Sequence, residues 1–165
     1  MGRSKGLGIP MLGIDPGGAQ TGLCLVRADG QPVDACVIER NKEAEQSVYV
    51  GEVVAACKEY LFSQPKSLVA VEGVTTPRSH FRGQVSLINV SGLIGAAVVL
   101  GAVLAVWPDA FVVPPAGNGS GLLEAYPPML VGPREKKGGG WMRHCRSAYD
   151  VALAARGVLA GGVVA

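Results

Sequence analysis

Three acids in this chain stand where acids are costly. Asp15 interrupts the apolar stretch MLGIDPGGAQTGLCLV (11–26), Glu72 interrupts SLVAVEGV (67–74), and Asp150 lies inside RSAYDVALAA (146–155). A carboxylate at the end of a buried segment loses its hydration, and only hydrogen bonds or a cation offset that loss. Each acid also has an ordinary reading. Asp15 before Pro16 and Gly17 suits a turn, Glu72 could pair with an arginine, and Asp150 could face solvent from a helix. Taken together they suggest more, because two carboxylates side by side repel, and a divalent metal held by both and by a third acid resolves the repulsion. Such a centre suits metal-assisted phosphodiester hydrolysis, with one ion activating water and a second stabilising the leaving oxygen.

The elements that must position these acids follow from the hydrophobic pattern. Residues 10–16 and 20–28 read as two strands joined by a glycine-rich turn, with a third strand over 33–39. Between 43 and 62, Val50, Val53, Val54, Cys57, Leu61 and Phe62 recur at helical spacing, and Pro65 stops the helix. The valine-rich run 67–74 is predicted as a buried central strand. The basic loop TTPRSHFRG (75–83) follows, then an uncharged helix over 85–107 and a strand over 110–114. Residues 116–142 are rich in glycine and proline, and predict a loop with at most one short helix near Leu122–Tyr126. A final helix covers 143–160. Residues 1–9 read as a flexible tail and 10–160 as one domain. A hairpin followed by alternating helices and strands implies an α/β architecture, a mixed sheet with helices packed on it. Adjacent central strands would bring Asp15 and Glu72 together, and the last helix would supply Asp150.

Bulk properties bound the partners. A chain of 165 residues fits one domain, and a net charge of +2 permits nucleic acid without demanding it. Arg78, His80 and Arg82 form one basic cluster, and Arg134, Lys136, Lys137, Arg143 and Arg146 another; both are candidates for phosphate contacts, against the ordinary reading of solvated loops. The four cysteines are scattered with no CxxC pair, which argues for reduced thiols in a reducing compartment and against structural zinc. No cleavable signal is visible. The uncharged run 85–107 is long enough to span a bilayer, but Ser86, Asn89 and Ser91 and the lack of aromatic belts favour a helix packed on a sheet, and so no membrane.

On GIDPGGAQTG (13–22), VAVEGV (69–74) and RSAYDVALAA (146–155), in that order and spacing, the chain resembles the RuvC Holliday junction resolvases of the RNase H-like superfamily. The resemblance covers about residues 10–160 and suggests a phage or divergent member. It implies an RNase H-like mixed five-stranded sheet, its first three strands antiparallel, flanked by helices. It also implies a magnesium-dependent endonuclease with two ions per site, for which manganese would substitute. Such an enzyme acts as a homodimer, resolving four-way DNA junctions by paired nicks in recombination and repair, in the cytoplasm of a bacterial or phage-infected cell.

Carried onto matching positions, Asp15, Glu72 and Asp150 are the metal ligands; beside them Gly17, Gly18 and Thr21 of the turn are candidates to border a DNA phosphate, the glycines leaving room for it. The family has an acid or histidine three residues before the last aspartate, whereas this chain has Ser147, a poorer ligand that could hold a metal-bound water. His144, at the helix start, is the alternative. Phe81, between His80 and Arg82, could stack on an unpaired base or staple its loop to the next helix. Three other readings remain open at this point. One is an RNA-processing nuclease of the same superfamily, and another is a branched-DNA-binding protein left with little cleavage by Ser147. The third is the phosphate hairpin of actin-like ATPases, whose two domains do not fit in 165 residues.

Overall fold

The computed structural model describes residues 8–75 and 90–161. Five strands form one sheet: β1 (Met11–Asp15), β2 (Gln20–Val26), β3 (Pro32–Glu39), β4 (Leu68–Glu72) and β5 (Phe111–Val113), in the order β3-β2-β1-β4-β5. β1, β2 and β3 pair antiparallel, while β4 lies parallel to β1 and β5 parallel to β4. Three helices flank the sheet: α1 (Gln46–Ser63), α2 (Val90–Val106) and α3 (Arg143–Gly161). The mixed sheet with an antiparallel start is the architecture the hydrophobic pattern predicts.

Alternation along the strands sorts the apolar residues into two cores. Leu12, Ile14, Leu23, Leu25, Val69 and Val71 meet Tyr49, Val53 and Cys57 of α1 and Val99 and Val103 of α2. Met11, Cys24, Val26 and Ala70 meet Cys145, Ala148, Val151, Ala152 and Ala155 of α3 on the other face. The same two-residue period puts Asp15 and Glu72 on the α3 side of the sheet. That helix lies close because β1 and β2 offer it two residues without side chains. A Cβ on Gly13 would run into the Ala148 carbonyl, and one on Gly22 into the His144 carbonyl. The first turns of α3 therefore rest directly over the strand ends where the acids stand.

The turn between β1 and β2 packs against α1 and α2, and its Thr21, read as a phosphate contact, is turned inward instead. A Cβ on Gly18 would lie 2.7 Å from the Gly92 carbonyl oxygen and 3.0 Å from the Gly92 Cα, and one on Gly95 would lie 2.6 Å from the Gly18 Cα. The bare backbone of Gly18 lets α2 approach. Gly17 is equally committed, since a Cβ there would meet the Gln20 carbonyl. Thr21 is fully buried. Its hydroxyl accepts from the Gly17 N–H (3.3 Å) and stands 2.6 Å from the Tyr49 hydroxyl, which donates to the Gly17 carbonyl at 3.0 Å. With the tyrosine proton used there, Thr21 donates to Tyr49 and the three groups close a ring. Gly18→Ala is expected to cost about 1–3 kcal/mol, as overpacking at a closed contact does, and to lower the thermal midpoint of the DNA-free protein.

The start of α1, the facing of Phe62 and the end of β5 differ from the sequence expectation. α1 begins at Gln46 because Asn41 turns the chain first, its Oδ1 accepting the Glu43 N–H at 3.0 Å. Its buried stripe is Tyr49, Val53 and Cys57, so Phe62 falls on the outer side and is 88% exposed. β5 ends at Val113, before Pro114 and Pro115. Arg78, His80, Phe81 and Arg82 lie outside the described residues, as do 85–89 at the start of the expected apolar helix and residues 1–7 of the expected tail. Among the described residues no helix is long and apolar enough to cross a membrane. All four cysteines are free thiols, and burial pushes Cys57 and Cys145 up to about 12.

Candidate active site

Parallel pairing carries the two strand acids together. Ile14 stands opposite Val71, and one step further along both strands come Asp15 and Glu72. Asp15 is 8% exposed. Its Oδ2 lies 2.8 Å from Nδ1 of His144 in the first turn of α3, directly above Gly22, the antiparallel neighbour of Asp15. The Nδ1 proton donates to the carboxylate, and Nε2 makes no hydrogen bond among the described residues. His144 thus enters the site through Asp15. Six residues before Asp150 it is off that acid's helical face, and the partner it finds is on the sheet.

Burial, and then the Asp15 carboxylate beside it, push Glu72 up to about 7; Asn118 and Arg143 pull it the other way. Glu72 Oε1 accepts from Asn118 Nδ2 at 2.6 Å. Asp150 Oδ2 accepts twice, from the Gly119 N–H at 2.8 Å and the Tyr126 hydroxyl at 2.7 Å, while its Oδ1 accepts nothing among the described residues. The loop between β5 and α3 is therefore part of the site. It carries the short 3₁₀ turns Leu123–Ala125 and Pro128–Leu130. Asn118, Gly119 and Tyr126 escaped the sequence reading, because a glycine-rich loop has no periodicity to say which residues turn inward.

Ser147 is 4% exposed and packs under that loop. Gly119 sits on it in the left-handed region, φ 73°; a Cβ on Gly119 would lie 2.7 Å from the Arg143 carbonyl oxygen, 2.9 Å from the Ser147 nitrogen and 3.1 Å from the Ser147 Cβ. The position where the resembling family keeps an acid is here occupied by backbone.

Arg146 is likewise no phosphate contact. It is 0% exposed, and its guanidinium reaches the Leu130 carbonyl (3.1 Å), Glu135 Oε2 (3.1 Å) and the Gly139 carbonyl (2.6 Å) while stacking 5.7 Å from the Tyr126 ring centre. Arg134, Lys136, Lys137 and Arg143 are exposed around it. Its partner Glu135 is the one acid in that basic run, but the run itself does not say which cation it takes.

Oxygen donors of this kind suit a hard divalent cation. Asp15 and Glu72 supply an adjacent pair whose mutual repulsion a cation would relieve, and Asp150 keeps Oδ1 available. Among the described residues, however, no three His, Cys, Asp or Glu side chains are gathered closely enough to hold one ion.

Two acids thus stand at the carboxyl ends of central strands, under a helix bearing a third, on a mixed sheet whose first three strands are antiparallel, and this fold is that of RuvC. The chain matches T. thermophilus RuvC in complex with Holliday junction substrate, with a TM-score of 0.63 and 21% identity over 93% of this chain and 96% of that one. It also matches a further Thermus thermophilus RuvC structure with a TM-score of 0.59 and 20% identity, over 93% of this chain and 97% of that one. No model of a protein family matches the chain, and no curated protein matches it by sequence. At these identities the likeness establishes the fold.

Proposed function

We propose that this chain is a divalent-metal-dependent endonuclease that cuts branched DNA, with four-way junctions as its substrate and paired nicks as its product, in recombination and repair. The observation that carries the reading is the adjacency of Asp15 and Glu72 under the first turns of α3. A neutral-pH carboxylate pair with Glu72 held near 7 is a site short of positive charge. Asp15 and Glu72, with Asp150 from α3, are the residues that would hold magnesium, or manganese in its place. When bound, such an ion supplies the charge that polarises a phosphodiester and lowers the pKa of attacking water.

The chain's own residues supply the rest. His144 donates to Asp15 and fixes its rotamer, leaving Nε2 to exchange a proton with water or the leaving oxygen. Arg143 brings positive charge beside Glu72, and with Arg134, Lys136 and Lys137 forms a basic approach for phosphates on the loop before α3. The T. thermophilus RuvC neighbour bound to a Holliday junction substrate supports branched DNA as the ligand. Paired nicks need two sites. α2 supports a homodimer, since it carries no charge and leaves Val90, Ile94 and Val98 between 45% and 59% exposed along one side.

The test presents the full-length protein with a labelled four-way junction, its linear duplex and a structured RNA, each with magnesium. Preferential nicking of the junction, with binding that weakens steeply as salt rises, is expected. Equal cutting of duplex overturns junction selectivity, preferential cutting of RNA favours an RNA-processing nuclease, and junction binding without nicking leaves a binding protein.

A further inference from the structure

The loop between β5 and α3 does more than connect them. It places Asn118 on Glu72 and Tyr126 on Asp150, one donor on each of two acids that come from different elements. Its backbone adds the Gly119 N–H to Asp150, and the Gly121 N–H donates to the Tyr126 hydroxyl at 3.2 Å, so the phenol is itself oriented. The arrangement is anchored behind the site, where the buried Arg146 guanidinium stacks on the Tyr126 ring and grips Leu130, Glu135 and Gly139. Tyr149 meets the same ring edge-on, with centres 6.4 Å apart. Tyr126 thus has its position set by groups that do not touch the Asp150 carboxylate.

We propose that Asn118 and Tyr126 are positioning residues of this site. Asn118 holds one oxygen of Glu72, and Tyr126 holds one oxygen of Asp150, so that each carboxylate presents its other oxygen in a fixed direction. A ligand carboxylate free to rotate must be ordered when a cation binds; one already held by a neutral donor is not, and keeps its charge. The proposal rests on the metal-dependent nuclease reading.

The experiment compares wild type with Tyr126→Phe and Asn118→Ala in two assays. One is manganese binding to the DNA-free protein, followed by calorimetry. The other is junction cleavage resolved into kcat and KM. Tyr126→Phe keeps the ring that Arg146 and Tyr149 pack against, and circular dichroism confirms that each variant is folded. Loss of either donor is expected to weaken manganese binding and lower kcat by about tenfold or more, the scale of partners that orient metal ligands, with KM for the junction within about twofold of wild type. Manganese affinity that is the same in wild type and both variants, including absent in all three, overturns the positioning roles. If wild type binds manganese, the variants bind it more weakly and none of the three cuts DNA, the positioning roles stand and the nuclease reading falls. If the variants cut DNA and bind manganese as wild type does, the nuclease reading stands and the positioning roles fall.

Discussion

Arg146→Ala is expected to destabilise the DNA-free protein by about 3–5 kcal/mol, the loss that follows when one partner of a buried ion pair is removed. The guanidinium is fully buried and the Glu135 side chain is 5% exposed, so truncation strands a carboxylate with little water to replace its partner. Two carbonyls, those of Leu130 and Gly139, lose their donor at the same time. Glu135 also accepts the Met142 N–H at 3.0 Å, just ahead of α3, so the damage reaches the start of the helix that carries His144. For a domain of this size the thermal midpoint falls on the order of 10 °C. Adding Glu135→Ala to Arg146→Ala should cost less than the two single losses combined, because the stranded charge is gone. A surface phosphate contact behaves otherwise: its removal leaves the midpoint unchanged and reduces only the salt dependence of DNA binding. Thermal denaturation without DNA separates the two roles.

Arg146 marks where the sequence stopped being informative. The three acids were legible because each breaks an apolar segment, and the order of strands and helix suggested that they would meet. The mixed sheet followed from the strand and helix periods, together with glycines that allow a hairpin. The loop over 116–142 has no such pattern, so neither the inward turn of Asn118 and Tyr126 nor the burial of Arg146 could be read from it. What buries Arg146 is Glu135 across the loop, a pairing set by the closed chain and invisible to a count of local charge. The packing of Gly18 was hidden for a related reason: glycine in a turn near an acid fits a phosphate as well as it fits a helix, and the approach of Gly92 and Gly95 is set by the folded chain.

Asp15→Asn is expected to abolish cleavage while leaving the fold intact. Asparagine has the shape of aspartate, and its Oδ1 can still accept from His144 Nδ1, so the contact between β1 and α3 survives. The lost charge is the one that presses on Glu72, so the DNA-free variant should melt at or above the wild-type midpoint near neutral pH. Without that charge the pair attracts a divalent cation less strongly, and it is the cation that would stabilise the negative charge of a phosphoryl transition state. Losing one such electrostatic element costs on the order of 10³-fold in rate. Activity lost with stability kept is the signature of a residue that serves chemistry, and it is opposite to the pattern expected for Arg146.

The central claim is that Asp15 and Glu72 form the charge-bearing wall of a metal-dependent nuclease site. Its most direct test is a labelled four-way junction incubated with wild type and with Asp15→Asn across a magnesium titration, and with chelator. The account predicts paired nicks that appear with magnesium for wild type, and none for Asp15→Asn or in chelator. Nicking that is indifferent to magnesium, or that persists undiminished in Asp15→Asn, would contradict it.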